Sequence, residues 1–148
     1  MVKIENKSTN RIRVFQIVLF LIQIFLTVTP FIGAGYLNSE KAYTVLGMMS
    51  YIGSTGDAQK LTVIGLCYSL FLIIPIVAVA FQIFDRKYNL KNVIGILASG
   101  AGVMLIIYFV GPAYISIGSF LALIIYLLTF FMSVMGIMAR YVKTEENK

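Results

Sequence analysis

Residues 92–139 have the sequence NVIGILASGAGVMLIIYFVGPAYISIGSFLALIIYLLTFFMSVMGIMA, which contains no charged side chain. A helix needs about 20 predominantly apolar residues to cross a bilayer, so this stretch is long enough for two such helices. Gly111 and Pro112, near its middle, form a strong turn signal. The sequence therefore predicts a helical hairpin with helices near 92–110 and 114–139.

Two further uncharged runs, 14–39 and 61–84, precede this hairpin. The first loses its apolar character near residue 33, so we expect helices near 13–33 and 61–84. The first run exceeds the roughly 7–15 apolar residues of a cleaved signal peptide, and we expect it to be retained. The chain is thus predicted to be a single all-α membrane domain over residues 1–148, a four-transmembrane-helix antiparallel bundle.

The composition favours the same class of protein. Hydrophobic residues make up 59% of the chain and charged residues 12%, whereas soluble domains contain about 25% charged residues. One small core cannot bury so much apolar surface, so the lipid bilayer is the expected partner. The basic residues flank the apolar runs and form no basic face with interleaved aromatic residues, which argues against nucleic acid binding.

The distribution of Lys and Arg predicts the orientation, because basic residues concentrate in cytoplasmic loops. Four spans place the N-terminus, the 85–91 loop and the 140–148 tail on one side of the membrane. That side carries ten basic residues: Lys3, Lys7, Arg11, Arg13, Arg86, Lys87, Lys91, Arg140, Lys143 and Lys148. The other side carries Lys41 and Lys60. Both termini are therefore expected in the cytoplasm, and frequent Ile, Lys, Asn and Tyr suggest a bacterial plasma membrane.

The external segment 34–60 is predicted to contain a short amphipathic helix. Its apolar side chains recur at helical spacing: Ala42, Val45, Met48, Met49 and Ile52. Asn38 or Ser39 would be the N-cap, with Glu40 in the first turn. Gly53-Ser-Thr-Gly56 would end the helix. This segment is the part of the chain best suited to contact another membrane protein or an external protein.

Helices in lipid associate through small and polar residues, and each predicted span has a stripe of them. The candidates for a ligand site or a polar core are Gln23, Thr27, Tyr68 and Tyr126. The candidates for helix packing are Gly95, Ser99, Gly102, Ser133 and Gly136. Polar groups in lipid more often hydrogen-bond within the protein than bind a ligand. We also favour packing within one chain over a dimer contact for the Gly95–Ser99 pair.

Pro75, in the middle of the 61–84 helix, removes a backbone hydrogen bond and predicts a kink. It would act either as a hinge in a transport cycle or as a feature that shapes the bundle, and the structural role is favoured.

The sequence offers little for catalysis. The chain has no histidine and one cysteine, Cys67, so His-based acid–base chemistry and a disulfide pair are excluded. No Asp, Glu, Lys or Arg lies within the uncharged runs that form the predicted spans. We therefore expect no enzymatic activity, no metal and no cofactor, and a lipid-modifying enzyme is the least favoured hypothesis.

Two hypotheses on function remain. The first is a small non-catalytic multi-pass membrane protein that acts by binding, as an accessory, assembly or immunity-type subunit. Its basis is the lack of catalytic groups together with the 34–60 segment. The alternative is a small transporter, channel or holin-like pore, which is based on Pro75 and the polar stripe.

Overall fold

The computed structural model describes residues 7–36, 40–54, 58–85 and 90–145, with side chains over 11–36, 40–54, 65–85 and 90–139. The described residues are mainly helical. The α-helices are α1 (Lys7–Leu26), α2 (Val45–Ser54), α3 (Ala58–Phe84), α4 (Leu90–Leu105) and α5 (Ile117–Glu145). A π-helical turn, Ile106–Val110, continues α4, and a 3₁₀ turn, Pro112–Tyr114, leads into α5.

Three helices are long and apolar enough to cross a membrane: Gly65–Phe84, Leu90–Val110 and Ile117–Ala139. They lie where the uncharged runs of the sequence predict helices. Outward-facing positions along them are occupied by large apolar side chains such as Leu97 and Phe131. The chain is thus all-helical, with three helices that suit contact with lipid.

The first helix ends at Leu26 and not near residue 33. Pro30 disfavours the helical conformation at the residue before it, Thr29. The Thr29 hydroxyl donates a hydrogen bond of 2.7 Å to the carbonyl oxygen of Leu26, and its amide makes a tight turn to the same oxygen at 3.1 Å. These local bonds replace the next helical turn.

The four long helices enclose a common interior. Helix α1 packs against α3 and α5, and α4 packs against the same two helices. The largest buried side chains in this interior are aromatic: Phe20, Tyr68, Phe71 and Tyr126. The short helix α2 packs against α3.

Helix α2 begins at Val45, so the predicted N-cap at Asn38 or Ser39 with Glu40 in the first turn is wrong. Residues 38 and 39 lie outside the described part of the chain, and Glu40 is not helical. The N-cap is Thr44, whose hydroxyl oxygen accepts a hydrogen bond of 2.8 Å from the amide of Gly47. The helix cannot start earlier because Tyr43 is extended.

Tyr43 is extended because it pairs with Ile32 in an antiparallel bridge, through two backbone hydrogen bonds of 2.9 Å. Ile32 also forms a bridge to Ile115, and the Gly33 amide donates to the carbonyl oxygen of Tyr114 at 2.7 Å. We call the resulting structure, residues 27–36, 43–45 and 112–118, the cap. It connects the ends of α1, α2 and α5.

Gly118 allows the cap to lie close to α5. Its amide donates a hydrogen bond of 2.9 Å to the carbonyl oxygen of Pro30. A Cβ atom at this position would lie 2.7 Å from that oxygen and 2.5 Å from the Thr29 hydroxyl. Any larger residue would therefore push the 27–36 segment away from α5.

Candidate functional site

Most of the buried polar side chains, together with the half-buried Tyr36, form two groups along the interior of the bundle. The outer group, next to the cap, consists of Gln23, Thr27, Tyr36, Tyr68 and Tyr126. The inner group consists of Arg13, Gln16, Gln82, Lys91, Asn92 and Ser133, and Ser99 lies between the two groups, next to Ala98 on α4. Between them lies an apolar layer, made of Phe20, Ala78 and Ala98. The four predicted ligand or polar-core candidates all belong to the outer group.

Gln23 and Thr27 are both buried, and both donate to backbone. The Gln23 amide nitrogen donates to the carbonyl oxygen of Ala122 on α5 at 2.7 Å. The Thr27 hydroxyl donates to the carbonyl oxygen of Ile24 in its own helix at 2.6 Å. Gln23 therefore fixes the register of α1 against α5. A ligand at these two residues stays a prediction.

Tyr68 takes part in a small network with Tyr36 and the π turn. Its hydroxyl lies 3.1 Å from the Tyr36 hydroxyl and 3.5 Å from the carbonyl oxygen of Phe109. Tyr36 donates to the same carbonyl oxygen at 3.2 Å. A π turn leaves carbonyl groups out of the regular helical pattern, so Phe109 can accept these bonds. The network connects the 27–36 segment with α3 and α4.

No pattern of neighbouring residues indicates that Tyr36 belongs to this group, because its partner Phe109 lies 73 positions further along the chain. Its ring also packs edge-to-face on Tyr114, with centroids 5.3 Å apart.

Tyr126 is buried because α4 has a glycine opposite it. A Cβ atom at Gly102 would fall inside contact distance of three atoms of the Tyr126 ring. The pair brings α4 and α5 close together in the outer half of the bundle. The structure thus places a predicted packing residue and a predicted ligand candidate against each other.

Three of the other packing candidates, Gly95, Ser133 and Gly136, lie in contacts in the inner half of the same helix pair. A Cβ atom at Gly95 would collide with the Ser133 hydroxyl, and one at Gly136 would lie 2.7 Å from the Asn92 side chain. These contacts join α4 and α5 of one chain, and the choice between packing within one chain and a dimer contact at Gly95–Ser99 stays a prediction. The amide nitrogen of Gln16 adds a hydrogen bond of 2.8 Å to the Ser133 hydroxyl, which brings α1 into the same contact.

Arg13 is buried at the end of α3. Its guanidinium donates to the carbonyl oxygens of Gln82 at 2.5 Å and Ile83 at 2.6 Å. The last carbonyl groups of a helix lack helical partners and carry partial negative charge, so a cation is favourable there. The sequence suggested Arg13 as an orientation signal, and the structure adds this contact between α1 and α3.

The expectation that no Asp, Glu, Lys or Arg lies within a span is wrong at Lys91. It belongs to the candidate span Leu90–Val110 and its side chain is 1% exposed. Helix α4 can begin before the predicted start near residue 92 because the Asp85 carboxylate accepts a hydrogen bond of 2.8 Å from the Lys91 amide. The Gln82 amide nitrogen donates to the Lys91 carbonyl oxygen at 3.1 Å. These two bonds hold the start of α4 against the end of α3.

Three buried polar atoms have no hydrogen-bond partner among the residues that the structure describes: Gln16 Oε1, Gln82 Oε1 and Ser99 Oγ. Gln16 and Gln82 belong to the inner group, and Ser99 lies at the level of the apolar layer. An unsatisfied buried polar group costs about 1–3 kcal/mol.

Pro75, the predicted hinge, is buried inside α3 one turn before Ala78 of the apolar layer. It leaves the carbonyl oxygen of Phe71 without its helical donor. An apolar groove of about 250 Å³ opens between α3 and α4 at this level, and Ala98 lines it together with Val77 and Leu97. The contact between α3 and α4 is thus looser here than the glycine contacts between α4 and α5.

Within the described ranges, no three Cys, Asp or Glu side chains lie close enough together to hold a metal ion. No protein-family model matches the chain, and neither a curated protein nor a solved structure matches it. Function is therefore argued from the geometry alone.

Proposed function

We propose that this is an integral membrane protein with four spans, α1, α3, α4 and α5, and with both termini in the cytoplasm of a bacterial cell. The outward face of α1 supports the fourth span because its exposed side chains are apolar: Val14, Phe15, Val18, Leu21, Ile22 and Phe25. The orientation is supported by ten basic residues on one side against two on the other.

We further propose that the protein acts by binding, as a non-catalytic accessory, assembly or immunity-type subunit. The observation that carries this proposal is the exposed face of α2. Leu46 is 45% exposed and Tyr51 is 41% exposed, although the opposite face of α2 is already buried. The cap holds this helix in place through the Ile32–Tyr43 bridge. A fixed helix with apolar and aromatic groups facing outward suits protein recognition.

A photo-crosslinking amino acid at position 46 tests the binding role in intact cells. We expect a discrete crosslinked product, and co-purification of the same partner in mild detergent. Leu46→Ser combined with Tyr51→Ser should abolish co-purification, while Ala113→Ser, at an exposed cap position, should leave it unchanged. A protein that shows no crosslink and purifies alone in every mild detergent would contradict this function.

A small transporter or channel is the second candidate, favoured by the polar side chains of the outer group inside the bundle and by Pro75 in α3. Reconstituted liposomes would test it through the flux of ions and small neutral solutes. Gln23→Leu and Tyr126→Phe should change that flux, since both residues belong to the outer group. An absence of flux for every solute would remove this candidate.

A further inference from the structure

Helices α3 and α4 are in contact at both ends and separated in the middle. At the inner end, the Lys91 amide donates to the Asp85 carboxylate at 2.8 Å, and the Lys91 carbonyl oxygen accepts from the Gln82 amide nitrogen at 3.1 Å. At the outer end, the ring of Tyr68 packs on that of Phe109, with centroids 6.2 Å apart. The groove of about 250 Å³ lies between these contacts. It is therefore an opening in the side of the bundle.

The gap has a cause on each of the two helices. Pro75 lies midway between Tyr68 and Gln82 and removes a helical hydrogen bond, which lets α3 bend. On α4, the side chains of Ala98 and Ala101 border the groove, and both are too short to fill it. Every side chain that lines the groove is apolar. A polar ligand would find no side-chain hydrogen-bond partner there, so the occupant must be apolar.

The dimensions of the groove select among apolar occupants. Its lining on α4 runs from Ile94 to Ala101, which is about 10 Å at 1.5 Å per residue. Spread over this length, its volume gives a cross-section of about 25 Å², whereas a helix with its side chains is about 10–12 Å across. A stable interface with a second protein takes about 20–30 residues on each side, and seven residues line this groove. One extended hydrocarbon chain fits these dimensions.

The groove also lies at the depth of lipid tails. It is near the middle of the candidate spans Gly65–Phe84 and Leu90–Val110, and the tails of the two leaflets meet in the middle of a hydrocarbon core about 30 Å thick. We propose that the groove binds one acyl chain of a membrane phospholipid. The chain supplies the dispersion contacts that the two helices do not make with each other at this level. The site depends on α3 and α4 lying in a bilayer, and on neither the binding role nor transport.

Photo-crosslinking from the lipid tests the site. The protein is reconstituted in vesicles of phosphatidylethanolamine and phosphatidylglycerol that contain a phospholipid with a diazirine at the end of one acyl chain. Mass spectrometry of the irradiated protein locates the adducts. We expect more adducts at Val77 and Leu97, which line the groove, than at the exposed Phe131 of α5. Equal labelling of the groove and Phe131 would overturn the proposal.

Phe131 is a matched position because it lies at the same depth as Leu97. The contacts of Gly95 with Ser133 and of Gly102 with Tyr126 align α4 with α5 on both sides of this level. The two side chains are also similarly exposed, at 61% for Phe131 and 62% for Leu97. A difference in labelling therefore reports the groove and not the depth or the exposure of the residue.

Two variants fill the groove from opposite sides. Ala101→Leu and Val77→Phe enlarge exposed lining residues and should remove the excess of adducts. Gly100→Leu should leave it unchanged, because Gly100 is exposed, does not line the groove, and has no atom within 4 Å of its Cβ position. An excess that persists in both filling variants would refute the site. The comparison with Phe131 uses the wild-type protein, so it decides the question even where a variant fails to fold.

The identity of the occupant has its own measurement. Native mass spectrometry of protein extracted in mild detergent should show a bound phospholipid on the wild-type protein and on Gly100→Leu, and its loss from Ala101→Leu. A retained isoprenoid in place of the phospholipid would contradict the assignment. The same holds if a photo-crosslinking amino acid at position 97 captures a second copy or another protein in native membranes.

The melting temperature gives a readout without any crosslinker. Adding phospholipid to the delipidated protein should raise the melting temperature of the wild type, because a ligand of the folded state stabilises it. Ala101→Leu fills the groove with its own side chain, so it should gain less from added phospholipid than the wild type and Gly100→Leu. An equal rise in all three proteins would count against the groove as the site.

Discussion

Replacing Gly102 with alanine should destabilise the protein out of proportion to the single methyl group that it adds. The new Cβ atom would overlap three atoms of the Tyr126 ring. Tyr126 is 1% exposed, so its ring has no open space to move into. Overpacking of this kind costs about 1–3 kcal/mol. We therefore expect the free energy of unfolding to fall by roughly 2 kcal/mol, the middle of that range.

Gly100→Ala is the matched control. Gly100 lies on the same helix, is exposed, and has no atom within 4 Å of the position that a Cβ atom would take. Alanine is preferred to glycine in a helix by about 0.5–1 kcal/mol, so this variant should be unchanged or slightly more stable. Equilibrium unfolding in mixed detergent micelles, followed by circular dichroism, measures both variants under the same conditions.

A double-mutant cycle assigns the loss to the Tyr126 ring. Tyr126→Leu removes part of the ring volume, so Gly102→Ala should cost less in that background than in the wild-type protein. Residues in contact typically show coupling energies of about 0.5–3 kcal/mol. If Gly102→Ala and Gly100→Ala have the same stability, or if the cycle shows no coupling, the close approach of α4 and α5 at this point is refuted.

Three further predictions concern the connections between helices. Arg13→Ala should lower the free energy of unfolding by roughly 2 kcal/mol, through loss of charged hydrogen bonds to the end of α3, as measured by the same unfolding assay; an unchanged value would contradict the buried contact. Gly118→Ala should increase hydrogen exchange in the 27–36 segment, whereas Gly53→Ala, where a Cβ atom meets nothing within 4 Å, should not. Tyr36→Phe should lower the free energy of unfolding by about 1 kcal/mol. The double variant with Tyr68→Phe should lose less than the sum of the two single losses, because both hydroxyls share the Phe109 carbonyl oxygen as acceptor. Strict additivity of the two losses would argue against the network.

The apolar helices could be predicted from the sequence because lipid imposes a simple requirement on them. A span must be long, apolar and helical to satisfy its backbone within itself, and this leaves a pattern in consecutive residues such as 92–139. The start of α2 could not be predicted in the same way. It depends on the pairing of Tyr43 with Ile32, which are distant in sequence. The Thr44 side chain was a local N-cap signal, but the apolar spacing extended back to Ala42 and hid it.

The polar interior was predicted in part. The sequence indicated Gln23, Tyr68 and Tyr126 because they interrupt apolar runs, and the structure buries all three. It did not indicate Arg13 and Lys91 as interior residues, because basic residues beside a span are normally orientation signals. Their burial depends on where the ends of α3 and α4 meet, which is a property of the packed bundle and not of either helix.

The contacts between the helices differ in tightness, and this difference indicates which helix is best able to move. Glycines hold α4 and α5 close together at Gly95, Gly102 and Gly136, so these two helices should behave as one rigid unit. Helix α3 contains Pro75 and borders the groove against α4, so it is the long helix best able to shift. Helix α2 packs on α3. A partner bound to α2, as proposed, would therefore act on α3, the helix that contributes Ala78 to the apolar layer.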